Sequence, residues 1–541
     1  AEAEFTAEGG TKTVTGTESI YELSIANYNG TRPTGGTTAL GTATTEGGSW
    51  SEGAVILTGY TTYAKGAKPG RLTDYARLGF IHIREITCAN KESGTSLPDR
   101  TGHIMFDFYW SQPLNDTTNI PFYGDDSEPL APSTPVTPPV TPPAEEEDRE
   151  GNTYTISSVA ELEELTPLQD GDEIIWANGT YADVKITLKS DQEIVNGITF
   201  RAESDGGVIF TGNSTLLVST SKTTIRGFHW KDPIIDSEHL IKFNTNTSYS
   251  VLTECKVSES KSDDDEGSDP YEGFYRSCKW VSLYGSHHTV EHCSFVNKRD
   301  RGALLVVWFE EEITPAHTIR YNYFSRPSII LDPADGKPAN EQEAVRVGDS
   351  PNSLSDGEIL LEGNHFYRCW GESAEVVSNK SCKNCYIGNY FEECRGTLTL
   401  RQGNNCIVEG NYFLGNGETE SGGVRIIGKG HTVKGNHFET LTGIGYKAAL
   451  SLVRGQENAA LSGYVQVENA LIEENIFSEC TLAMHVNYGG SSNMVLPVIS
   501  TTIRNNTLVS TNTSNYIVRY ENSDPQAEIT WKGNRLYGRF K

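Results

Sequence analysis

An asparagine recurs at one place in a short phrase that is repeated through the second half of the chain. The phrase is an apolar residue, two further residues, Asn, one residue, and then Phe or Leu. Steps of 42, 25, 22, 25, 39, 31 and 28 residues separate the eight asparagines, which are Asn322, Asn364, Asn389, Asn411, Asn436, Asn475, Asn506 and Asn534. A basic step of 22 to 25 residues with occasional insertions is typical of coils that stack on one another.

The segments between the asparagines indicate which kind of coil is stacked. They are short and rich in β-branched residues, and turns rather than helix caps separate them. Three short strands fit in one such coil, and stacking pairs each strand with the next at about 4.8 Å. Buried asparagines at one corner can then form a hydrogen-bonded ladder. We therefore predict an all-β fold, a right-handed parallel β-helix over residues 152–541, with a capped helix at 157–165 covering its first coil.

Composition and charge exclude several classes of protein. The 53 Gly, 25 Tyr and 19 Phe, with only 3 Met, favour strands and turns over a helical bundle. The net charge is 44 − 72 = −28, which argues against a nucleic-acid partner. No run of eighteen apolar residues exists, so no membrane partner is expected. Ten cysteines are too few for a disulfide scaffold, and Cys382 and Cys385 are better explained as stacked interior thiols than as half a zinc site.

A proline-rich stretch at 132–143 followed by an acidic run at 145–148 predicts a linker, placed at 131–151. Before it, 81–86 and 104–108 have strand patterns, which favours a β-sandwich accessory domain over 1–130. Carbohydrate binding is one candidate role for that domain. Residues 1–5 resemble the remnant of a yeast secretion vector, so we expect a secreted or periplasmic protein.

Basic residues recur at a nearly constant distance from the repeat asparagine. Lys380, Arg401 and Arg425 lie 9, 10 and 11 residues before the next one, which predicts a column of cations on successive coils. Arg346 has the same apolar alternation one coil earlier, so all four should face outward. Pairing with a carboxylate such as Glu343 would explain any one cation. The whole column on an acidic chain favours a groove for a polyanion, and an acidic polysaccharide fits best.

Four segments in this region resemble polysaccharide lyase family 6, the group of alginate lyases and chondroitinase B. They are EAVRVGDS at 343–350, GESAEVVSNKS at 371–381, GTLTLRQGN at 396–404 and GGVRIIG at 422–428. The resemblance runs from about residue 152 to the C-terminus and leaves the first 130 residues uncovered. It implies β-elimination of a 4-linked uronic acid polymer, with alginate as the expected substrate.

The resemblance also implies roles for individual residues. Lys380 corresponds to the family's base and Arg401 to its acid. Lys380 must be unprotonated to act, and a neighbouring guanidinium favours the neutral amine. Because Arg401 stays charged, it is equally acceptable as an electrostatic stabiliser, with water or Tyr446 protonating the leaving O4. Arg346 and Arg425 are expected to hold substrate carboxylates.

The chain departs from the family pattern at the expected metal site. Calcium-using members hold the ion with an Asn and two Glu that lie seven and five residues before the base; here those two places hold Ser373 and Glu375, and Asn340 is the candidate Asn. Losing one carboxylate weakens a hard-cation site, so we expect activity without a metal cofactor. Gln402 replaces a frequent family His and is expected to affect subsite preference. Lys298 is a candidate extension of the groove, or part of an ordinary surface cluster.

Three other functions stay open. A lyase for dermatan or chondroitin sulfate would use the same cations for sulfate groups. A non-catalytic, polysaccharide-binding β-helix protein would need only the column. A hydrolase needs clustered carboxylates in the groove, which a cationic column does not predict.

Overall fold

A computed structural model of the chain describes residues 151–259, 274–370, 372, 374–521 and 528–539, together with five strands in the first 110 residues. Contacts divide the chain into two units, Ala1–Thr141 and Pro142–Lys541. The division falls inside the predicted linker at 131–151. Residues 1–5 and most of that linker lie outside the described residues, so those two assignments stay predictions.

The first unit contains two antiparallel sheets. Thr11–Thr13 pairs with Glu22–Ser24, and the other sheet has the strand order Val55–Thr61, Ala76–Cys88, Gly102–Trp110. The strand patterns at 81–86 and 104–108 fall within the last two strands. The sandwich packing and the carbohydrate-binding role of this unit stay predictions.

The second unit is a stack of coils whose strands form three parallel sheets, named here sheets A, B and C. Sheet A contains Thr153–Ile156, Glu173–Trp176, Ile198–Ala202, Thr223–Arg226, Val251–Thr253, Thr289–Glu291, Thr318–Arg320, Leu360–Glu362, Cys385–Ile387, Ile407–Glu409, Thr432–Lys434, Leu471–Glu473, Thr501–Arg504 and Ile529–Lys532. Sheet B contains Gly179–Ala182, Val208–Gly212, Phe228–Pro233, Lys256–Ser258, Ser294–Val296, Tyr323–Ser325, His365–Tyr367, Tyr390–Glu392, Tyr412–Leu414, His437–Glu439, Ile476–Ser478, Thr507–Ser510 and Arg535–Gly538. Sheet C contains Lys185–Lys189, Thr215–Ser219, His239–Phe243, Lys279–Leu283, Leu305–Val307, Val345–Gly348, Glu375–Lys380, Gly396–Gln402, Ser421–Ile426, Leu450–Val453, Leu482–Tyr488 and Tyr516–Tyr520. Each complete coil contributes one strand to each sheet, which confirms the predicted parallel β-helix.

The repeat asparagines form the predicted ladder at the turn between sheets A and B. The backbone N–H of each donates to the Oδ1 of the next at 2.8–3.0 Å, from Asn322 through to Asn534. Each Nδ2 also donates to a backbone carbonyl of an adjacent coil, for example Asn389 to Leu361 at 2.8 Å. From Asn322 to Asn506, the ladder thereby satisfies the backbone N–H and the side-chain amide of each asparagine, which would be costly to bury unpaired.

An aromatic ladder runs beside the asparagines inside sheet B. Its rings stack with centroids 4.6–5.2 Å apart, and they belong to Phe295, Phe324, Phe366, Phe391, Phe413, Phe438 and Phe477. This spacing is close to the inter-strand distance, so identical side chains pack on themselves from coil to coil.

The first coil is covered by the helix Val159–Leu165, which lies within the predicted range. Ser158 caps it by accepting from the backbone N–H of Glu161 at 3.3 Å, and Leu162 inserts into the core. The nine described cysteines carry free thiols, and eight of them are buried. In the described residues, no helix has the length and apolar character needed to span a bilayer.

Candidate active site

Four successive strands of sheet C carry the predicted basic residues. The neighbours of Arg346 in its strand belong to the core, so its own side chain faces outward. Arg346 pairs with Ser378, Ser378 with Thr399, and Thr399 with Arg425. Arg346 and Arg425 therefore lie in one outward row, three strand spacings or about 14 Å apart.

The other two cations lie beside that row. Lys380 pairs with Gly348 on one side and Gln402 on the other, and a register shift after Asn379 leaves Arg401 in a β-bulge. Bulges re-aim side chains, often next to active sites. The predicted single column is therefore wrong in register. The four cations lie on neighbouring strands of one sheet, but they occupy two rows and a bulge.

The ammonium group of Lys380 is available for chemistry. It makes no hydrogen bond or ion pair with the described residues, and its side chain is partly exposed. Burial raises the pKa of both Glu343 and Glu372, and the positive charge of Lys380 opposes this rise in each.

Glu375 lies between two guanidinium groups. Its carboxylate accepts from Ser378 Oγ at 2.5 Å. The same side chain is 3.8 Å from Arg401 Nε and 3.9 Å from Arg425 Nη1, and only 8% of it is exposed. This buried carboxylate therefore ties Arg401 to Arg425 across the floor of the site.

Three carboxylates converge beside Lys380. Oxygens of Glu343, Glu372 and Glu375 lie within 4.8 Å of one another. Burial, followed by the charges of the other two carboxylates, raises the pKa of Glu372 to about 8. Burial also raises the pKa of Glu343, although Arg346 and Lys380 oppose this. Glu343 is almost fully buried, and its Oε2 has no hydrogen-bond partner among the described residues.

This cluster has the chemistry of a site for a hard divalent cation. Three convergent carboxylates, one with a buried oxygen that lacks a partner, suit an ion such as calcium. Glu372 supplies the carboxylate that was sought at Ser373, which lies outside the described residues, and Glu343 adds a third. Asn340, the candidate Asn, is exposed. The reason for expecting metal independence therefore fails, although metal independence itself stays an untested prediction.

A long turn holds the guanidinium of Arg401. Residues 454–470 connect strand Leu450–Val453 of sheet C to strand Leu471–Glu473 of sheet A. Arg401 donates from Nη1 to the carbonyl of Gly463 at 3.0 Å and from Nη2 to that of Ser462 at 2.9 Å. The ring of Tyr464 lies 4.5 Å from the guanidinium carbon. These contacts fix the orientation of Arg401.

Arg425 faces outward, as predicted, but two tyrosines cover it. The guanidinium carbon lies 5.0 Å from the ring centre of Tyr446 and 5.5 Å from that of Tyr464, and Nη2 donates to the Tyr464 hydroxyl at 3.1 Å. Only 7% of the side chain is exposed. Tyr446 belongs to the short 3-10 helix Gly445–Lys447. Arg425 is therefore held rigidly at one end of the site.

Two further predicted site residues, Gln402 and Lys298, lie in different places relative to the site. Gln402 borders the site, and its Nε2 donates to Ser350 Oγ at 3.0 Å. Lys298 is fully buried, ion-paired with Asp300, and lies 5.3 Å from the ring centre of Trp280. An ammonium without exposure cannot contact a polymer, so its assignment to the groove or to a surface cluster is wrong.

Glu372 and Tyr464 are the site residues that sequence reasoning missed. Glu372 lies eight residues before Lys380, one place from the position of the family Glu, so a sequence pattern with one inserted residue includes it. Tyr464 lies in the long turn. The 39-residue asparagine step reveals that turn, but nothing in the sequence selects the residue.

The chain matches the family model described as chondroitinase B over residues 156–532. Among solved structures, it is similar to the PL6 family alginate lyase AlyGC at 31% identity and a TM-score of 0.63, over 71% of this chain and 51% of that one. The chain thus spans about half the length of AlyGC. It is also similar to a mannuronic acid specific polysaccharide family 6 lyase from human gut microbiota, at 26% identity and a TM-score of 0.59, over 69% and 83% of the two chains.

The PL6 family polysaccharide lyase Pedsa3628 from Pseudopedobacter saltans shares the fold, at 22% identity and a TM-score of 0.58, over 71% and 92% of the two chains. No curated protein sequence matches significantly. The family model covers more than half of the chain and includes every strand of the site. The chain therefore belongs to polysaccharide lyase family 6.

Proposed function

We propose that the protein is an alginate lyase that cleaves a 4-linked uronic acid polymer by β-elimination. The observation that carries this proposal is the position of Lys380, a partly exposed ammonium on the strand of Glu375, whose carboxylate clusters with two others and contacts two guanidinium groups. A base without a structural partner, surrounded by groups that can compensate charge, is what proton removal next to a carboxylate requires.

The proton at C5 of the uronate is acidic only when the neighbouring carboxylate is neutralised. Lys380 in its neutral form takes this proton, the C5 electron pair forms the C4–C5 double bond, and the C4–O4 bond breaks. Arg346, which is partly exposed, suits the carboxylate of a sugar beside that bond and orients the polymer along the sheet. Arg425, which two tyrosines cover, supplies positive charge at the other end of the row.

Glu343, Glu372 and Glu375 would hold a divalent cation if one binds. Such an ion would supply positive charge toward the substrate carboxylate and stabilise the enolate-like state. Without an ion, the negative charge of the three carboxylates would oppose binding of an anionic ligand, and the cations of the site would have to offset it. Cation dependence is therefore a direct test of this cluster.

Arg401 acts on the leaving side through its charge. Its guanidinium already donates to the carbonyls of Ser462 and Gly463, which hold its positive charge in place. We propose that it stabilises the charge developing on O4. Water or a tyrosine of the same flank, Tyr446 or Tyr464, supplies the proton.

Two observations bear on the substrate. AlyGC is named as an alginate lyase, and the gut lyase is named as mannuronic acid specific. The family model carries the name chondroitinase B, so a dermatan or chondroitin sulfate lyase is the second candidate. Because such polymers do not cross a bilayer, we propose a secreted or periplasmic location. Acidic polysaccharide is the proposed partner, rather than nucleic acid or a membrane.

The test measures the ultraviolet absorbance of the unsaturated uronate product on alginate, chondroitin sulfate and dermatan sulfate. We expect product from alginate, and loss of roughly 100- to 10,000-fold in kcat for Lys380→Ala. Lys383→Ala is the matched control, because Lys383 is exposed three residues later and pairs with Asp356 at 2.7 Å on another face. Product from a sulfated polymer alone would favour the second candidate. No product from any polymer would leave a binding protein.

A further inference from the structure

Outward-facing positions of sheet C continue on the coils that precede Arg346. Arg346 pairs with Val306, Val306 with Ser282, and Ser282 with Lys242. The strand neighbours of Lys242, Ile241 and Phe243, belong to the core, so Lys242 faces outward. Lys242 thus lies in the row of Arg346 and Arg425, about 14 Å before Arg346.

Two aromatic side chains fill the space between Lys242 and Arg346. Tyr284 and Trp308 stack with ring centres 5.5 Å apart and planes at 9°. Lys242 Nζ lies 4.6 Å from the ring centre of Tyr284, and the Arg346 guanidinium carbon lies 5.0 Å from that of Trp308. All four side chains are partly exposed. The sequence of cation, ring, ring and cation makes one continuous ridge along the axis of the coils.

The ridge leads directly to the proposed base. Val307 pairs with Val347, so Trp308, which follows Val307, is next to Gly348. Gly348 in turn pairs with Lys380. A polymer that lies along sheet C at the reaction centre will therefore pass over Gly348 and meet Trp308.

Several cations on the outer faces of the other sheets are paired with carboxylates. On sheet A, Arg201 Nε lies 2.7 Å from Glu173, and Arg320 Nε lies 2.7 Å from Glu291. Lys242, in contrast, makes no ion pair or hydrogen bond with the described residues. The contact with the ring of Tyr284 stabilises Lys242 but does not neutralise its charge.

Two donors of the ridge also lack acceptors. Trp308 Nε1 and Arg346 Nε are buried and have no hydrogen-bond partner among the described residues. Both groups can only donate. Together with Lys242 they call for a ligand that is rich in acceptors and negatively charged.

We propose that Lys242 and Trp308 form a distal subsite for a uronate residue of the bound polymer, several sugars away from the cleaved bond. This rests on the proposed function and extends it. The Lys242 ammonium pairs with the sugar carboxylate, and Trp308 Nε1 donates to a sugar oxygen. Tyr284 supports Lys242 from below. The distance from Lys242 to Arg346 exceeds the length of one sugar ring, so only longer oligomers reach the subsite.

The test compares Lys242→Met with the wild type on a series of oligouronates of increasing length. We expect KM for the longest oligomers to rise about tenfold, as for loss of one charge-assisted contact, with kcat little changed and with the effect falling as the oligomer shortens. Trp308→Phe, which keeps the stack but removes the donor, should show the same length dependence to a smaller extent. Lys242→Arg should restore binding of the long oligomers.

Lys256→Met is the matched control, because Lys256 is exposed on a strand of sheet B. A second readout is titration of long and short oligomers into Lys380→Ala with and without Lys242→Met. An effect of Lys242→Met that is equal for all lengths, or absent for all, overturns the subsite while leaving the lyase activity in place. A wild type that releases no unsaturated product from any uronate polymer overturns the proposed function, and the subsite with it.

Discussion

The carboxylate of Glu375 lies 3.8 Å from the guanidinium of Arg401, and this contact is made where a bulge has turned Arg401 out of the strand register. Arg401 is held from the opposite direction by the carbonyls of Ser462 and Gly463. A guanidinium fixed on two sides needs little reorganisation when charge develops nearby. The bulge and the long turn thus cooperate to prepare one positive charge for the leaving side of the reaction.

Tyr464 should contribute to turnover through Arg425. Tyr464→Phe removes the hydroxyl that accepts from Arg425 at 3.1 Å, and loss of a hydrogen bond to a charged group costs about 2 kcal/mol, or roughly 30-fold in kcat/KM. Tyr446→Phe is the matched variant, because Tyr446 contacts Arg425 through its ring face and keeps that contact. We expect it to lose less. Complete loss of kcat in Tyr446→Phe would instead identify Tyr446 as the proton donor.

A divalent cation should stabilise the protein, and more strongly at higher pH. The raised pKa of Glu372, about 8, means that a proton competes with the cation below that pH. At about a hundred times its Kd, the ion would add about 3 kcal/mol to the free energy of unfolding. Melting temperatures with calcium or chelator at pH 6 and pH 9 test this. Glu372→Gln should remove most of the calcium effect, and an equal calcium effect in that variant would contradict the assignment.

In the absence of a cation, the carboxyl of Glu372 should make the protein less stable at higher pH, which is the opposite of the trend expected with the cation. Its pKa is raised in the folded state, so the folded protein binds the extra proton between the unfolded value near 4.5 and about 8. Stability from this group is present at low pH and is lost as pH rises through about 8. With chelator present, Glu372→Gln should therefore melt closer to the wild type at pH 6 than at pH 9, where the wild type must bury the charge.

The buried histidines should make the free energy of unfolding of the coils decrease at acidic pH. Burial lowers the pKa of His288 and of His431 to about 4, so each is neutral in the fold and charges only when unfolded. Their contribution is present above about 6.5 and is lost as pH falls from there toward 4, at up to about 3 kcal/mol for each group. The free energy of unfolding, measured between pH 7 and pH 5, should fall accordingly.

His431→Asn isolates one of these groups. His431 Nδ1 accepts from the backbone N–H of Cys406 at 3.2 Å, and at the equivalent turn Asn384 Oδ1 accepts from that of Ile359 at 3.0 Å. Asparagine can therefore replace the acceptor without titrating. The variant should show a shallower loss of stability between pH 7 and pH 5, whatever its stability at pH 7. An unchanged slope would show that His431 does not contribute.

The position of an asparagine in the ladder should determine how much it contributes to the free energy of unfolding. Asn411→Ala leaves the backbone N–H and the Nδ2 of Asn389 without their acceptor in a fully buried turn, at about 1–3 kcal/mol for each lost partner. Asn534 ends the described ladder and is only partly buried, so Asn534→Ala should cost less. Chemical denaturation of the two variants measures this difference. Equal losses would mean that the ladder does not act as a buried unit.

The sequence was sufficient to predict the coils but not the register of the site. Asn389 and Asn411 mark one corner unambiguously, because a buried amide ladder tolerates no displacement. Counting back from them to Lys380 and Arg401 assumed that the intervening turns have equal lengths. A bulge between those two residues breaks this assumption. Bulges depend on local backbone energetics that leave no repeated sequence pattern.

The carboxylate cluster was missed for a related reason. One extra residue before Glu375 moves Glu372 away from the expected spacing, yet the folded chain still brings the two carboxylates together with Glu343. Spacing along the chain is a poor guide wherever a turn can absorb an insertion. The covering of Arg425 by Tyr464 depends on contacts across 39 residues, which no local pattern encodes.

Strand pairing is uninterrupted on both sides of the long turn at 454–470, although the corresponding turn of the preceding coil has only residues 427–431. Added length at this corner therefore leaves the hydrogen-bonded scaffold intact while altering what stands over Arg401. Insertions or deletions in such a segment can change where a bound polysaccharide must stop, and they leave the fold unchanged. Enzymes with this fold should therefore differ more in the length of their oligosaccharide products than in their melting temperatures.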